Sequence, residues 1–226
     1  METKEFDSNG VKISYSKSGE GPPIIFVHGN MGSNKHFAKM HELFSEFTVY
    51  APDTRSHGQS NRVKRLNYDD IADDVVNLIN HEDMKDPILF GYSDGGIVGL
   101  LIAMKHPNLL SKLFVAGVNL NPKGINLIWR IMMRFVFFFS LPKLRDKMRL
   151  MLRQPNITAE QLKAVETPTI VFYGEKDIVK LSHSQTVVDN VKDGKLIIVP
   201  KENHGSYVLD NAKLAKLIKD NCLQII

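Results

Sequence analysis

Cysteine is almost missing from this chain of 226 residues, which holds one, Cys222. A lone thiol cannot close an internal disulfide, so a small disulfide-stapled scaffold is excluded and a reducing compartment fits. Its place in an amphipathic pattern from Leu209 to Leu223 predicts packing rather than nucleophilic duty. Long apolar runs are missing as well. The longest, Ile131 to Leu141, is broken by Arg134 and falls short of the roughly 18 to 20 residues a membrane-spanning helix needs. Met1 to Gly10 carries Glu2, Lys4, Glu5 and Asp7 and no apolar leader core, so a cytoplasmic location is expected. Repeats and low-complexity tracts are also lacking. A content of 43% hydrophobic and 24% charged residues fits one globular domain with an insertion.

Acidic residues are scarce in one segment. Between Lys123 and Arg153, the eight basic residues Lys123, Arg130, Arg134, Lys143, Arg145, Lys147, Arg149 and Arg153 face Asp146 alone. That segment therefore carries +7, and the rest of the chain −3, of the net +4. The basic character is local and no recognition motif accompanies it, so no nucleic-acid partner is expected. A basic amphipathic stretch is compatible with weak contact at a membrane surface, and equally with a cap that packs on its own domain and leaves a solvated basic face.

What is present is an alternation of short apolar runs and helical patterns. Asn9-Gly10 supplies the positive φ angles of a tight hairpin between Lys4–Ser8 and Val11–Ser16. Ile24 to Val27 is a continuous apolar run, as in a strand buried on both faces. There follow a helix over 34–44, a strand at 48–51, a helix over 68–81, a strand at 88–91 and a helix over 94–105 that stops before Pro107. A strand at 113–118 precedes an interruption; strands at 169–173 and 196–199, with helices near 182–191 and at the end, resume the rhythm. The pattern predicts an α/β fold: a mostly parallel eight-stranded sheet flanked by helices, with residues 1–118 and 167–226 forming the core domain. The interruption, 119–166, is predicted to be a helical cap insertion. Its Trp129, Met133 and Phe137 are candidates to line a pocket.

Gly91-Tyr92-Ser93-Asp94-Gly95 places a serine between a buried strand and a helix, the setting of the G-x-S-x-G nucleophile elbow. The glycines remove side chains where strand and helix approach, and the tight turn projects the Ser93 hydroxyl. His28-Gly29-Asn30-Met31 follows the first buried strand, where a backbone N–H of Asn30 or Met31 would join that of Asp94 as an oxyanion hole. His28 is expected to brace the loop. Asp177 follows the strand at 169–173, with Glu175 as a rival acid; His204 follows the last strand, with His57 as a weaker competitor. Asp94 is also a candidate substrate contact, since a carboxylate beside the nucleophile pairs with a substrate ammonium or simply favours the helix N-terminus.

Taken together, the HGN loop, DTRSHGQS, GYSDGG, GEKD and NHG segments, in that order and nearly end to end, resemble the α/β-hydrolase superfamily. The resemblance implies a Ser93, Asp177, His204 triad, a cap after the sixth strand, and a structural role for Asp53 and Arg55 in tying down the loop after the fourth strand. Ser56 stands where relatives often have glycine. The implied reaction is hydrolysis of a small or medium carboxylic ester through an acyl-enzyme, with no metal and no cofactor. A thioesterase, amidase or carbon–carbon bond hydrolase would use the same groups, and a non-catalytic ligand-binding protein could keep the fold.

Overall fold

A computed structural model describes residues 1–222. Its centre is an eight-stranded sheet in the order β1-β2-β4-β3-β5-β6-β7-β8. The strands are β1 (Glu2–Ser8), β2 (Val11–Ser18), β3 (Pro23–Val27), β4 (Thr48–Pro52), β5 (Ile88–Tyr92), β6 (Lys112–Ala116), β7 (Thr169–Lys176) and β8 (Gly194–Asn203). β1 and β2 form an antiparallel hairpin, β2 runs antiparallel to β4, and β3 to β8 pair in parallel. Asn9 and Gly10 turn the hairpin at φ 54° and 80°, the left-handed pair a two-residue turn requires.

Helices cover both faces, which is why Ile24 to Val27 reads as unbroken apolar sequence: all four side chains are fully buried. One face packs Ile25, Val27, Leu89, Leu113 and Val171 against α2 (Tyr68–His81) and α3 (Asp94–Lys105). The other packs Ile24, Phe26, Phe90, Phe114 and Phe172 under α1 (Met40–Leu43), α8 (Ser206–Leu209) and α9 (Asn211–Cys222). α2 begins where Asn67 accepts from the amide of Asp70 at 2.7 Å, and it buries Ile71, Val75 and Leu78 at helical spacing. α3 lies close on the sheet; a Cβ at Gly99 would stand 2.7 Å from the Leu113 side chain.

The observed elements depart from the sequence pattern in three places. The predicted helix over 34–44 is a 3-10 turn, Asn34–Phe37, followed by the single turn α1. Phe37, Met40 and Phe44 all enter the same core, which produces the helical period without a continuous helix. The predicted final helix is split at Asp210 into α8 and α9, and Leu223 lies outside the described residues. β7 and β8 run on past their apolar stretches, so Glu175 belongs to a strand and Asp177 follows it directly.

Between β6 and β7 the chain forms α4 (Leu127–Phe139), α5 (Pro142–Arg153) and α6 (Ala159–Leu162). α4 and α5 pack on each other beside the carboxyl edge of the sheet. α6 instead buries Leu162, and Val165 just after it, in the main core. Among the described residues, no helix is long and apolar enough to cross a membrane.

Candidate active site

The turn from β5 into α3 holds Ser93 at φ 52°, ψ −112°, a conformation that neighbouring close packing imposes. A Cβ at Gly91 would stand 2.1 Å from the Gly95 carbonyl oxygen, and one at Gly95 would stand 2.1 Å from that of Val27. Only glycine fits either position, so strand, turn and helix close tightly and the hydroxyl projects from the sheet edge.

His204, in the turn between β8 and α8, presents Nε2 at 3.1 Å from Ser93 Oγ. Its Nδ1 lies 2.7 Å from Asp177 Oδ1. A carboxylate accepts, so the ring donates from Nδ1 and turns its Nε2 lone pair toward the hydroxyl. The Asp177 side chain is fully buried and Oδ1 also accepts from the Val179 amide at 2.8 Å, which fixes the carboxylate in place. The structure thus brings together the three residues predicted from the motifs. The rivals stand elsewhere. Glu175 accepts from the Lys201 amide at 2.7 Å, and His57 is buried against Thr54, the Arg55 carbonyl and the Met31 amide. His28 bonds the Gly29 carbonyl through Nδ1 and accepts from the Thr54 amide at Nε2; burial pushes its imidazole down to about 4. It braces the loop as a neutral ring.

Sequence reasoning missed Gly117, which follows β6 at φ 63°. A side chain here would stand 2.7 Å from His204 Cε1 and 3.3 Å from Asp177 Oδ2. A glycine at the carboxyl end of a central strand was the available signal. Tyr92 was also missed; its ring centroid lies 5.3 Å from that of His204 and forms one wall for the imidazole.

Of the two amides proposed for the second oxyanion donor, that of Met31 already donates to His57 Nε2 at 3.2 Å. Asn30 is held differently, its side-chain amide donating to Asp94 Oδ2 at 2.8 Å. Tyr68 donates to the other oxygen, Oδ1, at 2.9 Å. Asp94 is buried, and desolvation raises its carboxyl to about 6 in spite of these two donors. Both oxygens are therefore engaged within the protein, beside the nucleophile.

A cavity of about 310 Å³ opens over Ser93 and His204. Trp129, Met132, Met133 and Val136 of α4 and Met148 and Met151 of α5 supply about half of its apolar lining residues, and Asn30 and Asp94 line it as well. Trp129 and Met133 are thus placed as predicted. Phe137 is not among the lining residues, and that expectation is corrected. One turn beyond Met133, it faces α5, where the Arg145 and Arg149 guanidinium groups stand 5.8 and 5.9 Å from its ring centroid. The methionine contribution of α5 was not foreseen, because its basic residues dominate the sequence pattern there.

A serine hydrolase from Mus musculus, BPHL, is 28% identical over 242 aligned positions, covering 94% of this chain and 83% of that protein. Its Homo sapiens counterpart matches to the same extent, 28% identical over 94% of this chain and 83% of that protein. The crystal structure of MGS-M2, an alpha/beta hydrolase enzyme from a Medee basin deep-sea metagenome library, superimposes with a TM-score of 0.85 at 18% identity. That superposition covers 99% of this chain and 98% of that one. The family model for the alpha/beta hydrolase fold matches residues 22–148, from the first buried strand through the nucleophile turn into α5. That match covers more than half of the sequence, so the chain belongs to the alpha/beta hydrolase family.

Proposed function

We propose that this hydrolase cleaves a carboxylic ester with an apolar acyl group, through an acyl-enzyme on Ser93. The observation that carries the reading is the chain of contacts from Asp177 through His204 to Ser93 Oγ, at 2.7 and 3.1 Å, at the floor of an apolar cavity. In the first half-reaction Ser93 Oγ attacks the ester carbonyl while His204 Nε2 takes its proton. Asp177 stabilises the imidazolium that results. The developing oxyanion meets the backbone amides of Asp94 and Asn30, the Met31 amide being committed to His57. His204 then returns the proton to the departing alkoxide, which leaves as an alcohol. In the second half, His204 deprotonates water, which attacks the acyl carbon; the carboxylic acid leaves and Ser93 regains its proton. These steps use protein groups and water alone.

The methionine-rich wall supports an apolar acyl group, since flexible thioethers adapt to such chains. Asp94 does not serve in this reading as an open site for a substrate ammonium, because Tyr68 and Asn30 already occupy its oxygens. A panel of nitrophenyl esters of rising acyl length, with amino-acid esters and thioesters alongside, tests both points. We expect turnover to rise with acyl length and Ser93→Ala to lower it on the order of 10⁴ to 10⁶-fold. Turnover restricted to amino-acid esters would overturn the apolar assignment. A protein that binds these esters without releasing nitrophenolate would be a binding protein, not a hydrolase.

A further inference from the structure

α4 has two apolar sides with different surroundings. Trp129, Met132, Met133 and Val136 border the cavity. On the opposite side, Leu127, Ile128, Ile131, Phe135, Phe138 and Phe139 stand 57 to 77% exposed, and Leu141, just beyond the helix, 80%. Ten of the fifteen large apolar side chains exposed on the described surface lie between Leu127 and Leu141. Isolated exposed apolar residues are ordinary; a contiguous stripe of this kind marks an interaction surface.

We infer that this face is a docking surface for anionic phospholipid and that α4 lies in the plane of the bilayer interface. Charge decides the occupant. α4 contains Arg130 and Arg134 and no carboxylate, in a segment whose eight basic residues oppose one aspartate. Two copies brought together through this face would set like charges against each other, whereas an anionic leaflet attracts both the charge and the apolar stripe. Exposed Arg134 forms no ion pair among the described residues, leaving it available to a headgroup.

Length and capping agree with an in-plane position. Thirteen residues make a helix of about 20 Å, too short for the roughly 30 Å of bilayer hydrocarbon. The carbonyls at its C-terminal end, which an apolar setting would leave without water, receive bonds from the Arg145 guanidinium: Phe137 O at 3.2 Å, Phe138 O at 3.4 Å and Ser140 O at 3.2 Å. Arg145 thus closes the exposed helix with a donor from α5. On the proposed reading of the site, a lipid-borne ester would enter the cavity past the opposite side of the same helix.

Flotation with vesicles of equal parts phosphatidylglycerol and phosphatidylcholine tests the docking itself, with no need for catalysis. The parent protein should float with these vesicles, stay behind with pure phosphatidylcholine, and be released by salt. Phe135→Ser combined with Phe139→Ser, and Arg134→Glu separately, should each reduce the bound fraction on the order of tenfold or more. None of these residues lines the cavity, so hydrolysis of a short soluble nitrophenyl ester should persist in both variants and show them folded. Failure to float, or equal flotation with neutral and anionic vesicles, would overturn the proposal. So would a parent dimer in analytical ultracentrifugation that the same substitutions dissociate, because that would assign the face to a second copy. A chain that floats yet turns over no ester would instead keep the docking and refute the catalytic reading.

Discussion

Asp94 sits beside the nucleophile and is raised to about 6 because burial penalises its charge more than Tyr68 and Asn30 relieve it. Between the ordinary carboxyl value of 3.8 and about 6 the folded state holds the proton more tightly than the unfolded chain, so this group's contribution to stability falls as pH rises through that window. Asp94→Asn removes the penalty and keeps the Tyr68 bond. The Asn30 carboxamide can turn over to offer Oδ1, which has no partner among the described residues, to the new amide. Urea unfolding near neutral pH should therefore show a gain of about 1 to 3 kcal/mol that vanishes under acid conditions, where the carboxyl is protonated. A loss at neutral pH would show that the charge is stabilising. Since a methyl group at Gly117 meets the His204 ring at 2.7 Å, Gly117→Ala should lower kcat on the order of 10² to 10³-fold with little change in KM, while its positive φ costs about 1 to 2 kcal/mol in folding. An unchanged kcat would mean the imidazole position is not the sensitive coordinate.

At the scale of elements, the segment after β4 shows how a loop is made rigid without regular structure. Asp53 accepts from the amides of Asn34 and Gln59 at 2.7 and 2.8 Å, while Arg55 forms two bonds of 2.7 Å to Asp74 of α2. Arg55 also reaches Asp70 at 3.0 Å. This loop carries His57 and Thr54, which hold the Met31 amide and the His28 ring, so its order passes directly to the oxyanion side of the cavity. Removing one member of a buried ion pair strands the other; Arg55→Ala should cost about 3 to 5 kcal/mol in denaturant titration. Arg55→Lys should recover little, since an ammonium cannot make the two-pronged contact. A cost below about 1 kcal/mol would mean the pair is effectively solvated. Strands β3 to β7, and helices α2 and α3, were legible because each is either continuously apolar or carries a clear helical face with a stop signal. Segment 34–44 was not, because a 3-10 turn and one α turn aimed at a common core share the period of a single helix. The position of Phe137 is not legible in the sequence for a related reason: on a helix with large apolar residues on several sides, sequence alone does not say which side faces the cavity, which α5 and which the outside.

Over the whole molecule, buried histidines contribute to the response to acid. His28 and His41 are each pushed down to about 4 from 6.5 by burial, so they remain neutral in the fold while the unfolded chain takes up protons. Stability should therefore fall as pH drops from about 6.5 toward 4, by a few kcal/mol in all, with Asp94 offsetting part of it. Urea midpoints that stay level across that window would contradict the burial of these rings as neutral groups. The site itself is a property of this scale. Ser93, Asp177 and His204 were recognisable because each follows a strand at the same sheet edge, yet their convergence depends on the whole strand order, and Gly117, just after β6, belongs to no motif and is signalled only by its place at a strand end. If this convergence activates one hydroxyl, labelling with a fluorophosphonate followed by peptide mass analysis will show it directly. We expect a single phosphonyl adduct on Ser93, with labelling slowed on the order of 10³-fold or more by His204→Ala. An adduct on another residue, or undiminished labelling of the His204→Ala protein, would contradict it.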